Sequence, residues 1–481
     1  MSRPNVLFFL SDDHARGAVG LYADRLKGIV ETPNIDRIGR DGVAFMECAA
    51  ENSICSPGRA AAYSGQHTRR HGVFMLGKGM EEPKASWPRV LDDAGYDTAV
   101  IGKWHLENPP DEVFPGFSAV VKGQGEWFDP QFEVRRRGQA EETQSHPGGY
   151  TSDAYTDIAL DWLKTKRDPS KPFALSMNYK NMHHSFEYPD RYLDYKSDLR
   201  DFADPASLMD KVLGCGAAAC HSRSFITPHL HDHVYLGTNA YERYFDFRGD
   251  KRTRPVPKDD GETPLETRYE TYMLKMIRCV KGMDDNVGRL LQYLEGARLL
   301  ENTVVVYTTD QGYFLGEHGL HGKRTVLDAT MMMPLIFMQP GSIRAGHRSD
   351  HMVQNVDIGP TLLDMCLGSV SPRMQGRSMK GICTGEDDSW HTDSQLFGYF
   401  QTEPYQIGLR TRRYTYCRVG RQNNYKIDFY DRQEDPDQRT NAHADPKYKA
   451  VIEQLSDQLD AKLEELGYTS DFLPGGSAWA R

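Results

Sequence analysis

A cysteine and an arginine stand close together in the segment Ile54–Arg59, which reads ICSPGR. Serine caps helices well and proline is favoured at the first helical position, so we predict a helix with Ser56 as its N-cap and Pro57 as its first residue. Cys55 would then lie beside unpaired backbone N–H groups and the positive end of the helix dipole. Arg59 adds a permanent positive charge one turn away. The segment therefore predicts a nucleophile that faces an anionic group.

Two other interpretations of Cys55 compete with this one. A thiolate nucleophile of the phosphatase kind needs a longer, glycine-rich loop that wraps the phosphate in backbone N–H groups. Only three residues separate Cys55 from Arg59, and one of them is a proline without an N–H. Such a loop cannot form here, which excludes that chemistry. A buried structural cysteine beside a turn is the interpretation that Cys55 alone would favour.

Oxygen-bearing side chains follow two apolar segments that are typical of strands buried on both faces of a parallel sheet. Asp12 and Asp13 come after one of these segments, and Asp310 and Gln311 come after the other. Ligands bind at the carboxyl ends of strands in open α/β sheets. Adjacent carboxylates repel each other unless a cation joins them, and oxygen donors favour calcium or magnesium over zinc or copper.

Cationic side chains follow the other predicted strand ends. Lys103 and His105 come after the strand predicted at 98–101, where an extended chain would place both on one face. His183 follows the strand predicted at 173–178, and Lys323 lies in a glycine-containing loop. Such groups suit an anionic substrate and a leaving group that needs a proton.

Together, and in this order, these motifs resemble the sulfatase family of the alkaline-phosphatase superfamily. The resemblance covers nearly the whole chain, in the segments Asn5–Asp13, Thr32–Ile38, Cys55–Arg59, Gly102–His105, Thr309–Lys323 and Tyr430–Asn441. The expected fold is α/β, alkaline-phosphatase-like, with a large and mostly parallel central sheet flanked by helices. A smaller C-terminal antiparallel sheet and a closing helix complete it.

The resemblance implies a sulfuric ester hydrolase with a modified cysteine and a metal. Formylglycine-generating machinery would oxidise Cys55 to formylglycine, and one hydroxyl of the hydrated aldehyde would attack sulfur. The second hydroxyl would then be deprotonated, which expels sulfate and restores the aldehyde. The implied metal is calcium, with magnesium as the runner-up, and its implied ligands are Asp12, Asp13, Cys55, Asp310 and Gln311.

The resemblance also implies roles for the cationic residues. Lys103, Lys323 and Arg59 would stabilise charge, and Arg59 would also hold the diol. His183 would protonate the leaving oxygen, and His105 would be the base for collapse of the intermediate.

Three positions depart from the commonest family pattern. Gln311 stands where many members have asparagine, which would loosen the metal geometry. Gly58 replaces a frequent serine, and we expect no essential effect. Ser185 replaces the usual proline after the histidine, which makes His184 a rival of His183.

Two other functions compete with sulfate ester hydrolysis. A phosphonate monoester or phosphodiester hydrolase of the same superfamily can share the modified cysteine, and a histidine in place of Gln311 would have favoured it. A catalytically silent binding protein is the other alternative. A binder, however, needs neither a nucleophile nor a proton donor.

Composition limits the partners and the location. The formal net charge is −10, which argues against binding to nucleic acid or to a membrane surface. Eight cysteines in 481 residues are too few for a disulfide scaffold. The first apolar segment begins at Asn5 without a small-residue cleavage site after it, so we expect a cytoplasmic protein. The oligomeric state is left open, a homo-oligomer included.

The domain organisation follows from changes in pattern along the chain. We predict a catalytic α/β domain at 1–370, with a polar insertion at about 189–264. A C-terminal antiparallel subdomain at 371–481 would end in a helix and a tail. The expected pocket walls are 114–132, the insertion, and the surroundings of Gln401, Glu403 and Tyr405. These are rich in aromatic and polar residues, which favours a sulfated saccharide as the substrate.

Overall fold

A computed structural model describes residues 3–183, 186–196, 265–387, 389–402, 404–421 and 424–468. Most of the predicted polar insertion, and also His184 and Glu403, lie outside the described residues. Within the described part, no helix is both long enough and apolar enough to cross a membrane.

Apolar segments with few turn-forming residues form the strands, and the strands predicted at 98–101 and 173–178 are observed at Asp97–Lys103 and Phe173–Tyr179. In chain order the strands are β1 Asn5–Ser11, β2 Val43–Ala49, β3 Asp97–Lys103, β4 Phe117–Val121, β5 Gln131–Arg136, β6 Glu142–Ser145, β7 Phe173–Tyr179, β8 Thr303–Thr309, β9 Phe314–Leu315, β10 His321–Gly322, β11 Leu335–Met338, β12 His347–Gln354, β13 Gln395–Tyr399, β14 Tyr405–Arg410, β15 Tyr414–Arg421 and β16 Asn424–Asp431.

Segments with apolar residues at a helical period form the helices between these strands. They are α1 Pro33–Arg40, α2 Cys55–Ser64, α3 Thr68–His71, α4 Trp87–Asp93, α5 Thr151–Asp161, α6 Leu265–Gly296, α7 Asp328–Met331, α8 Ile358–Leu367, α9 Lys380–Thr384 and α10 Lys449–Glu465. Helix α10 is the closing helix that the sequence predicts after the C-terminal sheet.

Ten strands form the main sheet, in the order β12-β2-β11-β8-β1-β7-β3-β4-β5-β6. The five neighbours from β8 to β4 are all parallel. Strand β11 is antiparallel to both β2 and β8. The carboxyl ends of β1, β3, β7 and β8 therefore meet at one edge of the sheet, which is the edge where we predicted the site.

The main sheet is buried on both faces. In β1, Val6 and Phe8 belong to one hydrophobic cluster together with residues of α2, α4 and α8. Leu7 and Phe9 point the other way, into a cluster with residues of α1, α5 and α6. This alternation explains why β1 is apolar without interruption, as strands with two covered faces are.

The last four strands form an antiparallel sheet in the order β13-β14-β15-β16. Helix α10 packs on it through Leu455, Leu459 and Leu463. The predicted fold class is thereby confirmed. The division of the chain into domains at residue 370 stays a prediction.

The predicted start of α2 is wrong by two residues. Ile54, with φ −149° and ψ 149°, is the N-cap, and the helix begins at Cys55. Ser56 does not cap the helix, because its hydroxyl donates to the carbonyl of His105 at 2.6 Å. The tertiary contact with the end of β3 outweighs the local capping preference of serine.

Candidate active site

Three carboxylates meet at the carboxyl ends of β1 and β8. The backbone N–H of Asp310 donates to the carbonyl of Ser11 at 3.2 Å, which joins the two strand ends. The N–H of Asp13 donates to Asp310 Oδ1 at 3.1 Å. Asp13 has a φ of 60°, a left-handed conformation that is uncommon outside glycine. This backbone geometry places Asp12 and Asp13, which are adjacent in the chain, together with Asp310 in one buried cluster.

Burial and neighbouring charges shift the pKa values of the three carboxylates in different directions. Burial, together with the charge of Asp12, raises the pKa of Asp310 to about 7. Burial also raises the pKa of Asp13. Burial acts to raise the pKa of Asp12 as well, but the charge of Lys103 and of other nearby cations holds it well below its usual range. Carboxylates this close to one another are stabilised by a shared cation.

The donor atoms fit a hard divalent metal. Four buried oxygens have no hydrogen-bond donor among the described residues, namely Asp12 Oδ1, Asp13 Oδ2, Asp310 Oδ2 and Gln311 Oε1. Ligand atoms of Asp12, Asp13, Cys55 and Asp310 all lie within 4.8 Å of one another. Each predicted oxygen ligand thus contributes one oxygen that accepts no hydrogen bond from the described residues. Oxygen donors of this kind suit calcium or magnesium.

The first turn of α2 presses against this cluster. Arg59 is fully buried, and its Nη2 lies 3.1 Å from Asp310 Oδ2 and 3.4 Å from Asp12 Oδ1. A Cβ on Gly58 would lie 2.1 Å from the carbonyl oxygen of Asp310. We expected no essential effect of glycine at this position, but the close approach of helix and loop requires it here.

Two lysines contact the carboxylates from opposite sides of Cys55. Lys103 Nζ forms an ion pair with Asp12. Lys323 Nζ forms one with Asp13 and donates to Cys55 Sγ at 2.8 Å. Burial raises the pKa of the Cys55 thiol well above its ordinary value, so the unmodified side chain is a neutral thiol.

The two predicted proton-transfer histidines face the same cavity. His183 is 6% exposed, and its Nε2 lies 4.0 Å from Asp13 Oδ2. His105 has a φ of 59°, so the extended chain predicted for it ends there. Burial, reinforced by the charge of Lys103, lowers the pKa of His105 to about 2, which keeps its imidazole neutral.

The structure thus brings all predicted site residues together. The cavity above them has a volume of about 180 Å³ and includes Asp13, Cys55, His105, His183 and Lys323 in its lining. The sequence prediction assigned no catalytic or metal-binding role to the seven other lining residues, which are Ile54, Leu76, Gln124, Tyr313, His321, Gly322 and Arg324. A polar residue beside a glycine in the predicted wall at 114–132 was the available signal for Gln124.

Gln124 contacts one of the predicted catalytic residues. Its amide nitrogen lies 3.0 Å from Nε2 of His105. Lys180 holds the same loop, because its Nζ donates to the carbonyl of Gly125 at 2.5 Å and lies 4.4 Å from the ring centroid of Trp127. The wall predicted at 114–132 therefore does reach the cavity.

The C-terminal sheet shapes the cavity through backbone contacts. The N–H of Leu76 donates to Gln401 Oε1 at 2.7 Å. Gln406 Nε2 donates to the carbonyl of Arg324 at 3.1 Å. Tyr405, which we predicted as a wall residue, is 8% exposed and packs in the hydrophobic cluster beneath the sheet. That part of the wall prediction is wrong.

Buried carboxylates and lysines around an α/β sheet edge define a hydrolase of anionic esters. Residues 4–369 match the model of the sulfatase family, and residues 316–465 match that of the N-sulphoglucosamine sulphohydrolase C-terminal region. The chain belongs to the sulfatase family and is a hydrolase of sulfate esters.

Individual relatives support this assignment. The chain is 30% identical to the N-acetylglucosamine-6-O-sulfatase of Bacteroides thetaiotaomicron, over 95% of this chain and 86% of that protein. It is similar to the solved structure of BT4656 in complex with its substrate D-glucosamine-2-N,6-O-disulfate. The TM-score is 0.84, with 28% identity over 97% of this chain and 98% of the other.

The fold alone does not separate sulfatases from the competing phosphonate hydrolases. The phosphonate monoester hydrolase of Silicibacter pomeroyi superposes with a TM-score of 0.71 at 19% identity, over 96% of both chains. The choice between the two activities therefore depends on the residues of the site and on the family match.

Proposed function

We propose that this sulfatase releases inorganic sulfate from a sulfated saccharide, using a formylglycine made from Cys55 and a bound calcium ion, with magnesium as the runner-up. The observation that carries the proposal is a set of four buried oxygens that accept no hydrogen bond from the described residues, three of them on aspartates whose ligand atoms cluster with that of Cys55. These oxygens match the predicted metal ligands one by one, and their chemistry favours a hard cation.

The neutral thiol of Cys55 supports the modification. Burial raises its pKa, so a thiolate would be costly at this position. Formylglycine supplies, as its hydrate, one hydroxyl that attacks sulfur and a second that allows sulfate to leave. Arg59 and Lys323 lie next to the side chain of Cys55 and are placed to orient the hydroxyls.

The remaining residues divide the work of charge stabilisation and proton transfer. Lys103 and Lys323 place ammonium groups on the two sides of the carboxylate cluster, where they would stabilise the sulfate oxygens. His183 lies at the cavity and would protonate the leaving oxygen. His105 lines the same cavity as Cys55 and would accept a proton from the nucleophile side.

The shape of the cavity supports a saccharide as the alcohol. A volume of about 180 Å³ accommodates the sulfate end of a substrate, so the alcohol must extend to the rim. The cavity lining includes the exposed Gln124 and the half-buried Arg324, which offer hydrogen bonds to a hydroxyl-bearing ring. The relatives N-acetylglucosamine-6-O-sulfatase and BT4656 act on sulfated amino sugars, which favours the same substrate class here.

The test combines a peptide mass with a substrate panel. Enzyme co-expressed with formylglycine-generating machinery should show the aldehyde or its hydrate at residue 55. It should also hydrolyse a sulfated saccharide with a higher kcat/KM than aryl sulfates, choline sulfate or phosphonate esters. Full activity of Cys55→Ala would overturn the mechanism. A phosphonate ester preferred over every sugar would establish the phosphonate hydrolase instead.

A further inference from the structure

Arg324 lines the cavity directly after Lys323 and plays no part in the mechanism described above. It is half-buried. Among the described residues its guanidinium has neither a hydrogen bond nor an ion pair. Arg59, which is fully buried, lies against Asp12 and Asp310 instead. Arg324 is thus a cation in the lining of the cavity, and it has no counter-ion among the described residues.

The backbone at Arg324 is held in an unfavourable conformation. Its φ is 86°, a left-handed conformation that strains a non-glycine residue. Gln406, a 3% exposed residue of β14, donates to the carbonyl of Arg324 and supports this conformation. The C-terminal sheet therefore supports the backbone conformation from which the side chain of Arg324 extends.

The two buried lysines of the site already form ion pairs with carboxylates. Lys103 and Lys323 pair with Asp12 and Asp13 respectively. The charge of Arg324, in contrast, acts on the cavity lining, since it helps burial to lower the pKa of the neighbouring His321 to about 4. His321 is therefore neutral, and Arg324 supplies the positive charge on this side of the mouth.

We propose that Arg324 is a specificity-determining residue that binds a second anionic group of the substrate, a sulfate or a carboxylate on the saccharide. The planar guanidinium can bind either oxyanion in a bidentate manner. The inference rests on the proposed function, because it concerns the part of the saccharide that does not react. It favours substrates with at least two negative charges over those whose only charge is the reacting sulfate.

The test compares substrates that differ by one anionic group. N-acetyl-D-glucosamine-6-O-sulfate, which carries a neutral amide at position 2, and D-glucosamine-2-N,6-O-disulfate form one pair, and a sulfated disaccharide with a uronate or with a neutral hexose forms a second. For Arg324→Gln we expect kcat/KM on the doubly charged member of at least one pair to fall about 10- to 100-fold, while the singly charged member changes by less than about threefold. The pair that responds identifies the anion as sulfate or carboxylate.

Each comparison uses one enzyme preparation, so a loss of folded protein cancels in the ratio. Arg324→Lys should retain part of the preference, and the exposed Arg344→Gln is the matched control. Equal losses on both members of both pairs would reject the role of Arg324 and leave the proposed function intact. A wild-type enzyme that hydrolyses none of these saccharides would overturn both proposals.

Discussion

Lys323 Nζ lies 2.8 Å from Cys55 Sγ, although 268 residues separate the two in the chain. Lys323 directly follows the β9–β10 hairpin, and Cys55 is the first residue of α2. An ammonium group this close stabilises an oxyanion at the position of the sulfur. The contact therefore places the ammonium group of Lys323 beside the residue that is proposed to be modified.

The proposed metal site predicts a loss of calcium affinity on removal of one carboxylate. Asp310→Asn keeps the size of the side chain but removes a charge, so the calcium concentration for half-maximal activity should rise at least about 10-fold. Activity of chelator-treated enzyme, titrated with calcium, measures this. The exposed Asp393→Asn serves as the control. An unchanged calcium dependence, or stoichiometric zinc that activity requires, would contradict the prediction.

The proposed role of His183 predicts a dependence on the leaving group. A sugar alkoxide needs a proton when it leaves, whereas 4-nitrophenolate does not. His183→Gln should therefore lower kcat/KM for a sulfated saccharide by about 10²- to 10⁴-fold. The loss on 4-nitrophenyl sulfate should be far smaller. The exposed His391→Gln is the control.

Two results would change this assignment. Equal losses on both substrates would remove His183 from proton donation. A selective loss in His184→Gln, with His183→Gln unaffected, would transfer the role to the neighbouring histidine.

The close contact at Gly58 predicts that serine, which many family members have at this position, destabilises this protein. A Cβ there would meet the carbonyl of Asp310 at 2.1 Å, so helix and loop must separate. Gly58→Ser should lower the free energy of unfolding by about 1–3 kcal/mol and also lower kcat. Gly17→Ser is the matched control. Apart from its neighbours in the chain, no described residue has a heavy atom within 4 Å of the position of a Cβ at Gly17. A urea midpoint and kcat like those of the wild type would show that α2 adjusts freely.

The lowered pKa of the buried His71 predicts that the protein loses stability in mild acid. Burial lowers its pKa to about 4 in the folded protein, against about 6.5 in an unfolded chain. The unfolded state therefore binds the proton first, and stability falls as the pH drops from about 6.5 to about 4, by on the order of 3 kcal/mol. Above a pH of about 6.5 this contribution to stability is complete.

A variant isolates this effect from other titrating groups. His71 Nδ1 accepts the N–H of Val73 at 3.0 Å, and the side-chain oxygen of His71→Asn can accept the same bond. Urea midpoints at pH 7.0, 5.5 and 4.5 should decline less steeply in the variant than in the wild type. Parallel declines would assign the acid sensitivity to other residues.

Local patterns in the sequence determined the central strands and the site residues. The unbroken apolar segment before Asp12 predicts a strand covered on both faces, and the rule that ligands bind at strand carboxyl ends places Asp12 and Asp310 at one edge. These properties depend on side-chain period and on neighbours in the chain. The sequence is therefore sufficient to predict them.

Only the tertiary structure decided how the elements approach one another. The start of α2 at Cys55, the close contact of Gly58 with Asp310 and the support of Arg324 by Gln406 all join residues far apart in the chain. A capping preference of about 1 kcal/mol is readily outweighed by such contacts. The direction of a backbone held at positive φ, as at His105 and Arg324, likewise depends on what packs around it.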